Sequence, residues 1–233
     1  GVRVELAPGT PEAGALFAAI PVRQCTRTDY DGSALEPGLV ERLRAEAAVH
    51  RTEAIWLSER REVAAALDLV LSGVAAQLAD PAFRAELKAW LRFSPERAAR
   101  LRDGLYGGAS GAPPVPEWLG RSVFEAVFTA ESEADRYAQQ VRSSSGLMVL
   151  TGPRESAEGW IEAGRALQRL SLRATAEGLR VAHLNQVVEH PETRAELQRL
   201  LGLGDRRPDM VLRIGRGPAA PYSLRRPVEA VLA

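Results

Sequence analysis

Cysteine is nearly missing from this chain: Cys25 stands alone among 233 residues. A lone thiol excludes an intrachain disulfide and any zinc site built on cysteines. Histidine is also scarce, and His50, His183 and His190 show no metal-ligand spacing. His183, beside an apolar neighbour in a strand-like run, reads as a hydrogen-bonded structural residue. Lys88 is the only lysine, so every other basic residue is an arginine. A GC-rich genome produces that bias, and so does a need for planar, two-pronged anion recognition. Net charge is missing as well, because 30 basic and 30 acidic residues cancel. No basic field favours nucleic acid, and no polybasic run favours an anionic membrane. No apolar run approaches the length of a membrane span, and no signal peptide is read at the start. A cytoplasmic, reducing location is therefore expected. Gly1 stands where a Met would begin a chain, which reads as a processed or truncated piece. A Walker-type phosphate loop and a G-x-S-x-G elbow are both absent.

What is present suits one large domain over residues 1–233, with 45% hydrophobic residues and a sizeable core. The clearest pattern lies in residues 160–217. Trp160, Ala163, Leu167, Leu170 and Ala174 recur at spacings of three and four, an apolar stripe along one long helix. Gly164, Gln168, Ser171 and Thr175 lie beside it and are small or uncharged, so another backbone can come close. Glu177 and Gly178 end the helix. Residues 179–184 read as a strand ended by Asn185 and Gln186. His190 and Pro191 open another helix, which closes at Gly202. Pro208 breaks the chain before a strand over residues 210–215.

Upstream, residues 2–6 alternate like a strand, and residues 11–20 form a short helix capped by Thr10. Residues 23–27 form a loop. A helix over 37–49, a strand over 53–57 and a long helix capped by Ser58 follow, the last running to about Leu78. Helices start at Asp80 with Pro81 and at Ser94 with Pro95, the first reaching Phe93. Residues 131–142 are helical and 146–150 form an apolar strand, with Gly152 and Pro153 turning the chain. The result is an α+β domain with helices packed on a sheet.

Residues 104–120 are rich in glycine, proline and alanine and are expected to form no regular helix or strand. Such a segment is a lid, or a surface loop without a role. Trp90, Phe93 and Trp118 flank it, either as ligand cover or as local packing. The tail, residues 217–233, holds Pro218, Pro221 and Pro227 and should run extended. Its Val228, Val231 and Leu232 call for an apolar partner surface.

The order long helix, strand, polar turn, helix, strand resembles the C-terminal half of the FMN-dependent nitroreductase family. In that family the chain closes with R-R-P-x-E-x-V, matched here by Arg225, Arg226, Pro227, Glu229 and Val231. An R-x-S-x-R signature near the start is matched by Arg23, Gln24, Cys25, Thr26 and Arg27. The long insertion over residues 80–120 is similar to that of the double-length Acg-type branch (often labelled as Tat-pathway proteins), where it lies over the flavin as a lid. That branch carries two nitroreductase-like halves. Its first half contains an S-x-H-N-x-Q-P-W stretch, which this chain lacks.

The resemblance implies a nitroreductase-like fold: a mostly antiparallel central sheet flanked by helices, a long central helix and a lid-like insertion. It implies FMN as cofactor and NAD(P)H as electron donor, with a nitroaromatic or quinone as acceptor. Arg23 and Arg225 would hold the phosphate, with Gln24 and Cys25 along it. Arg27 would sit toward the ribityl chain and the ring edge, favouring negative charge on the reduced ring. Asn185 and Gln186 would lie at the strand end that faces the flavin ring. Cys25 stands where the family favours serine, and a thiol is the weaker donor. Read without the family, these arginines are solvated surface residues. Cys25 would then be a thiol whose pKa is lowered by the arginines beside it. Gln186 replaces a usual glycine and would crowd the ring. Three readings follow: an oxidoreductase, a protein that sequesters FMN under a closed lid, and a pseudo-enzyme without cofactor. A second nitroreductase-like half, from another copy or an N-terminal portion, is expected as partner.

Overall fold

The computed structural model describes residues 5, 8, 14–48, 51–152 and 155–232. In chain order the elements are α1 (Ala15–Ala19), α2 (Pro37–Ala47), β1 (Glu53–Leu57), α3 (Arg60–Ala79), α4 (Pro81–Trp90), β2 (Leu91–Arg92), α5 (Pro95–Leu101), β3 (Leu105–Tyr106), α6 (Glu117–Val127), α7 (Ala130–Arg142), β4 (Gly146–Gly152), α8 (Ala157–Ala176), β5 (Arg180–His183), α9 (Gln186–Glu189), α10 (Pro191–Leu200) and β6 (Arg207–Gly215). The expected strand over 2–6, the Thr10 cap, His50 and Pro153 fall outside the described residues, apart from Glu5.

Alternation of side chains along each strand decides the layering. The central sheet runs β1-β4-β6-β5, and every pairing in it is antiparallel. Leu57, Leu147, Val149 and Val211 line one face and pack with Val70 and Val74 of α3 and Val141 of α7. Ala54, Met148, Leu150, Leu212 and Ile214 line the other and pack with Leu39 and Leu43 of α2 and Ala166 and Leu170 of α8. β4 is buried along its whole length because both faces are covered. Leu170 and Leu212 are fully buried. Truncating either to alanine would cost about 2–5 kcal/mol.

The long helix α8 follows from its sequence. Ser156 caps it by accepting a hydrogen bond from Gly159 N, and Gly178 ends it with φ of 74°. Its apolar stripe is only partly core, because Ala163, Leu170 and Ala174 are buried while Trp160 is exposed.

Several expectations are corrected. Ser58 does not cap α3; Glu59 holds the N-cap position, without a side-chain bond. α3 also has the length and mean hydropathy, 1.5, of a membrane-crossing segment, contrary to the absence of any such run expected above. In this fold its apolar face, Ala66, Val70, Gly73 and Val74, is core. Pro208 does not precede the last strand but lies within it, opposite Thr151 at a shift in register. A bulge tolerates proline because the ladder is already interrupted there. The insertion is more regular than its composition predicts. Leu105–Tyr106 pairs in parallel with Leu91–Arg92, Gly107–Ser110 makes a 3-10 turn, and Glu117 begins α6. Phe93 packs on Phe124 of α6 at 6.2 Å between ring centroids.

Candidate functional site

Residues 23–30 run along the free edge of β5. Cys25 bridges Val181 in parallel, and Thr26 N donates to Val181 O at 3.0 Å. Several polar backbone groups of this loop are committed to the surrounding fold. Arg27 O accepts from Gln140 Nε2 at 2.6 Å, and Tyr30 N donates to Ser143 Oγ at 3.2 Å. Thr26 O accepts from the Tyr30 hydroxyl at 2.9 Å and from Arg213 Nη2 at 3.1 Å. The backbone is therefore fixed before any ligand arrives.

The side chains of Arg23 and Arg27 are not committed. Among the described residues neither forms an ion pair or a side-chain hydrogen bond, and both are half-buried. His183 senses both of them. Its pKa is pushed below the usual imidazole value, first by burial, then by the charges of Arg27 and Arg23. Its Nδ1 is buried without a partner among the described residues, unlike the hydrogen-bonded histidine expected from sequence. Arg27 and Arg23 act on the ring through their charge, and neither guanidinium donates to it among the described residues.

At the end of β5, Asn185 is occupied. Its Oδ1 accepts from Val211 N at 3.1 Å, so its side chain holds β6 in place of a strand partner. Gln186 turns the other way and donates to the Tyr137 hydroxyl at 2.5 Å, leaving its Oε1 buried and unpartnered. Burial raises the Tyr137 pKa, and Arg27 acts on it in the opposite direction. Gly73 of α3 lets the Gln186 peptide come this close, because a Cβ there would stand 2.5 Å from Gln186 O.

Gln24 is likewise engaged, its side-chain amide clasping the Ala220 peptide on the returning tail. Cys25 is a free, half-buried thiol. Arg225 is exposed and, among the described residues, donates only to carbonyls of its own segment, Ser223 O at 3.3 Å and Leu224 O at 3.4 Å. The structure thus sets Arg23 and Arg27 near His183, sets Arg27 and Gln186 near Tyr137, holds Cys25 against Val181, and leaves Arg225 on the tail. The insertion touches the same loop, since a Cβ on Gly111 would stand 3.3 Å from Thr28 Cγ2. Tyr137, Gln140 and Arg213 were not singled out from sequence. Arg213 carried a signal, being a lone charge in the apolar run of β6. Tyr137 and Gln140 carried none, because a polar helix surface looks the same whether or not a loop lies on it.

Solved structures share this architecture. One is a nitroreductase with bound FMN from Bacteroides fragilis, with TM-score 0.54 and 13% identity over 94% of this chain and 96% of that one. Another is a nitroreductase-like family protein from Bacillus cereus, with TM-score 0.52 and 18% identity over 97% and 98%. The chain has the nitroreductase-like fold. An oxidized iodotyrosine deiodinase bound to FMN and 3-iodo-L-tyrosine is similar too, with TM-score 0.57 and 10% identity over 91% and 95%. No protein-family model and no curated protein matches the chain. At such identities the likeness is one of fold, and the deiodinase shows the architecture carrying a different reaction.

Proposed function

We propose that the chain binds FMN on the 23–27 loop and acts as an FMN-dependent oxidoreductase, taking electrons from NAD(P)H for a nitroaromatic or quinone. The observation that carries this reading is the pair Arg23 and Arg27, without a counter-ion among the described residues, on a loop held by Gln140 and Arg213. Arginine forks suit a phosphate, which offers several acceptor oxygens. Two guanidiniums unpaired among the described residues, beside a histidine whose protonation is disfavoured, fit an anion and suit a cation poorly.

Arg23 would hold the phosphate, and Arg27 would offer positive charge to the ribityl chain and ring edge. Gln24 and Asn185 are spent on backbone partners, so any contact they make would come from their peptides. Gln186, tied to Tyr137, would present its backbone to the ring and exclude water from that side. FMN, when bound, supplies the hydride-accepting and hydride-donating chemistry. The protein's share is binding, orientation and local charge. The reading includes a second nitroreductase-like half, because the 23–27 loop lies at a sheet edge and the clefts along α10 and between α3 and α6 share no residue with it. It extends to the Acg-type branch through the insertion, and to the cytoplasm through its need for NAD(P)H.

A sequestering role is the second reading. The approach of Gly111 to Thr28 favours it, because a closed insertion there would shield the flavin from a second substrate. One experiment separates these readings. The purified protein is titrated with FMN by fluorescence, then mixed with NADH or NADPH in a stopped-flow instrument. Bound flavin that is reduced supports the enzyme, and bound flavin that stays oxidised supports sequestration. Failure to bind FMN at about micromolar concentrations would sink both.

A further inference from the structure

Arg213 is the one charge in the run Met210, Val211, Leu212, Arg213, Ile214, Gly215 of β6. It is fully buried, on the sheet face whose neighbours Leu147 and Ala182 are apolar. A guanidinium in such a place stays charged, and is costly unless polar groups surround it. It forms no ion pair among the described residues. Asp29, a carboxylate that acts on it, is exposed and bonded to Gln139 instead. Carbonyls take the counter-ion's place. Nη2 donates to Thr26 O at 3.1 Å and to Thr28 O at 2.8 Å, and Nη1 donates to Gln140 O at 3.3 Å. The Tyr30 ring lies against the guanidinium at 4.1 Å. Nε is buried without a partner among the described residues.

Thr26 and Thr28 flank Arg27, so one side chain fixes the peptides on both sides of a proposed ligand residue. We propose that Arg213 is a positioning residue for the anion site, setting the backbone around Arg27 and lending it a buried positive charge. This rests on the FMN reading above. A plain structural staple would be better served by a neutral donor or an apolar side chain, since a buried charge without a carboxylate weakens the empty protein. An anionic phosphate at Arg23 and Arg27 supplies the missing negative charge, and the low dielectric behind the loop lets it act on Arg213. The consequence is selectivity: Arg213 should matter for flavin that carries a phosphate and hardly for flavin that lacks one.

The test compares the full chain with its Arg213→Met and Arg213→Lys variants, titrated with FMN and with riboflavin. Arg213→Met is expected to weaken FMN binding about tenfold or more, the scale of one charge-assisted hydrogen bond, while riboflavin changes less than about threefold. Arg213→Lys keeps the charge without the fork and should recover part of the FMN affinity. Equal losses for both flavins, or no loss, would reduce Arg213 to a staple and overturn the proposal. If Arg213→Met does not fold, Arg213→Lys decides by the same FMN-to-riboflavin ratio. If the unmodified chain binds neither flavin, the FMN reading is what has failed. The proposal then turns on inorganic pyrophosphate, which should raise the melting temperature of the unmodified chain more than that of the variants. An equal rise, or none, would overturn it as well.

Discussion

Gln24 and Ala220 exchange two hydrogen bonds, Gln24 Nε2 donating to Ala220 O at 3.1 Å and Ala220 N donating to Gln24 Oε1 at 2.7 Å. A side-chain amide thus does the work of a neighbouring strand, joining positions 196 residues apart. The join roots the tail beside the arginine loop, and the Tyr222 hydroxyl adds a bond to Val22 O at 3.0 Å. Beyond that root Leu224, Val228, Val231 and Leu232 are exposed. A tail fixed at the site and apolar at its tip is suited to lie on a second half of the flavin pocket.

This arrangement ranks the arginines. Arg23→Ala and Arg27→Ala should each weaken FMN binding by about 1.5–3 kcal/mol, the range for a hydrogen bond to a charged group. Arg225→Ala should cost less than about 1 kcal/mol, because an exposed cation is screened by water. Isothermal titration of the three variants checks the order. A loss at Arg225 as large as that at Arg23 would mean that the tail, rather than the loop, supplies the phosphate site.

His183 gives the site a pH dependence. Burial and the charges of Arg27 and Arg23 lower its folded-state pKa below 6.5, so the unfolded chain binds the extra proton first as pH falls. Between those two values the unfolded state holds more protons, and folding stability declines with falling pH. Chemical denaturation at pH 7 and at lower pH should show this decline, and His183→Gln should flatten it. Saturating FMN should also reduce it, because a bound phosphate offsets the two arginines. The same slope in His183→Gln would place the titration elsewhere.

Much of this could be read from the chain. The strand over 53–57 matches β1 residue for residue, because charged and apolar positions and the flanking helix signals agree there. The end of α8 at Gly178 was legible for the same reason, a glycine in the left-handed region where other residues are strained. The insertion was less legible, because a two-residue strand pair and a 3-10 turn are made by tertiary contacts that leave little local pattern. At the site, the arginines could be picked out by motif, but their freedom from partners could not. Arg136, equally arginine, is paired with Glu133 one helical turn away, and Arg92 with Asp103. Only the fold distinguishes a spent guanidinium from a free one.

The insertion can be tested directly. Ala109 is buried and Gly111 meets Thr28, so at Gly111 the insertion reaches the loop that would carry the flavin. Replacing residues 107–116 with a short Gly-Ser linker should raise the rate of flavin reduction by NAD(P)H by roughly tenfold, if access limits the reaction. FMN affinity should change little, since Arg23 and Arg27 are untouched. An unchanged stopped-flow rate would show that access is not limiting.

The last prediction concerns assembly. α1 and α8 pack together and, with Ile20 just after α1, present Phe17, Trp160 and Ile161 to solvent, with Phe17 69% and Ile161 61% exposed. Gly164 lies on the same helix with nothing among the described residues within 4 Å of where a Cβ would be. A glycine in an open helix interior costs about 1 kcal/mol relative to alanine, so its presence needs a reason outside this chain. Close approach of another backbone supplies one, and large apolar side chains around a small residue form the core of such an interface. A two-fold dimer is the simplest closed arrangement for identical copies. Light scattering on the 233-residue chain should therefore report a dimer. Ile161→Arg should convert it to a folded monomer and release FMN, because a buried unpaired charge at the interface is costly. Gly164→Ala should steady the helix yet weaken the dimer, a pair of opposite effects that helix propensity alone cannot give. A monomeric chain that holds stoichiometric FMN would overturn the idea.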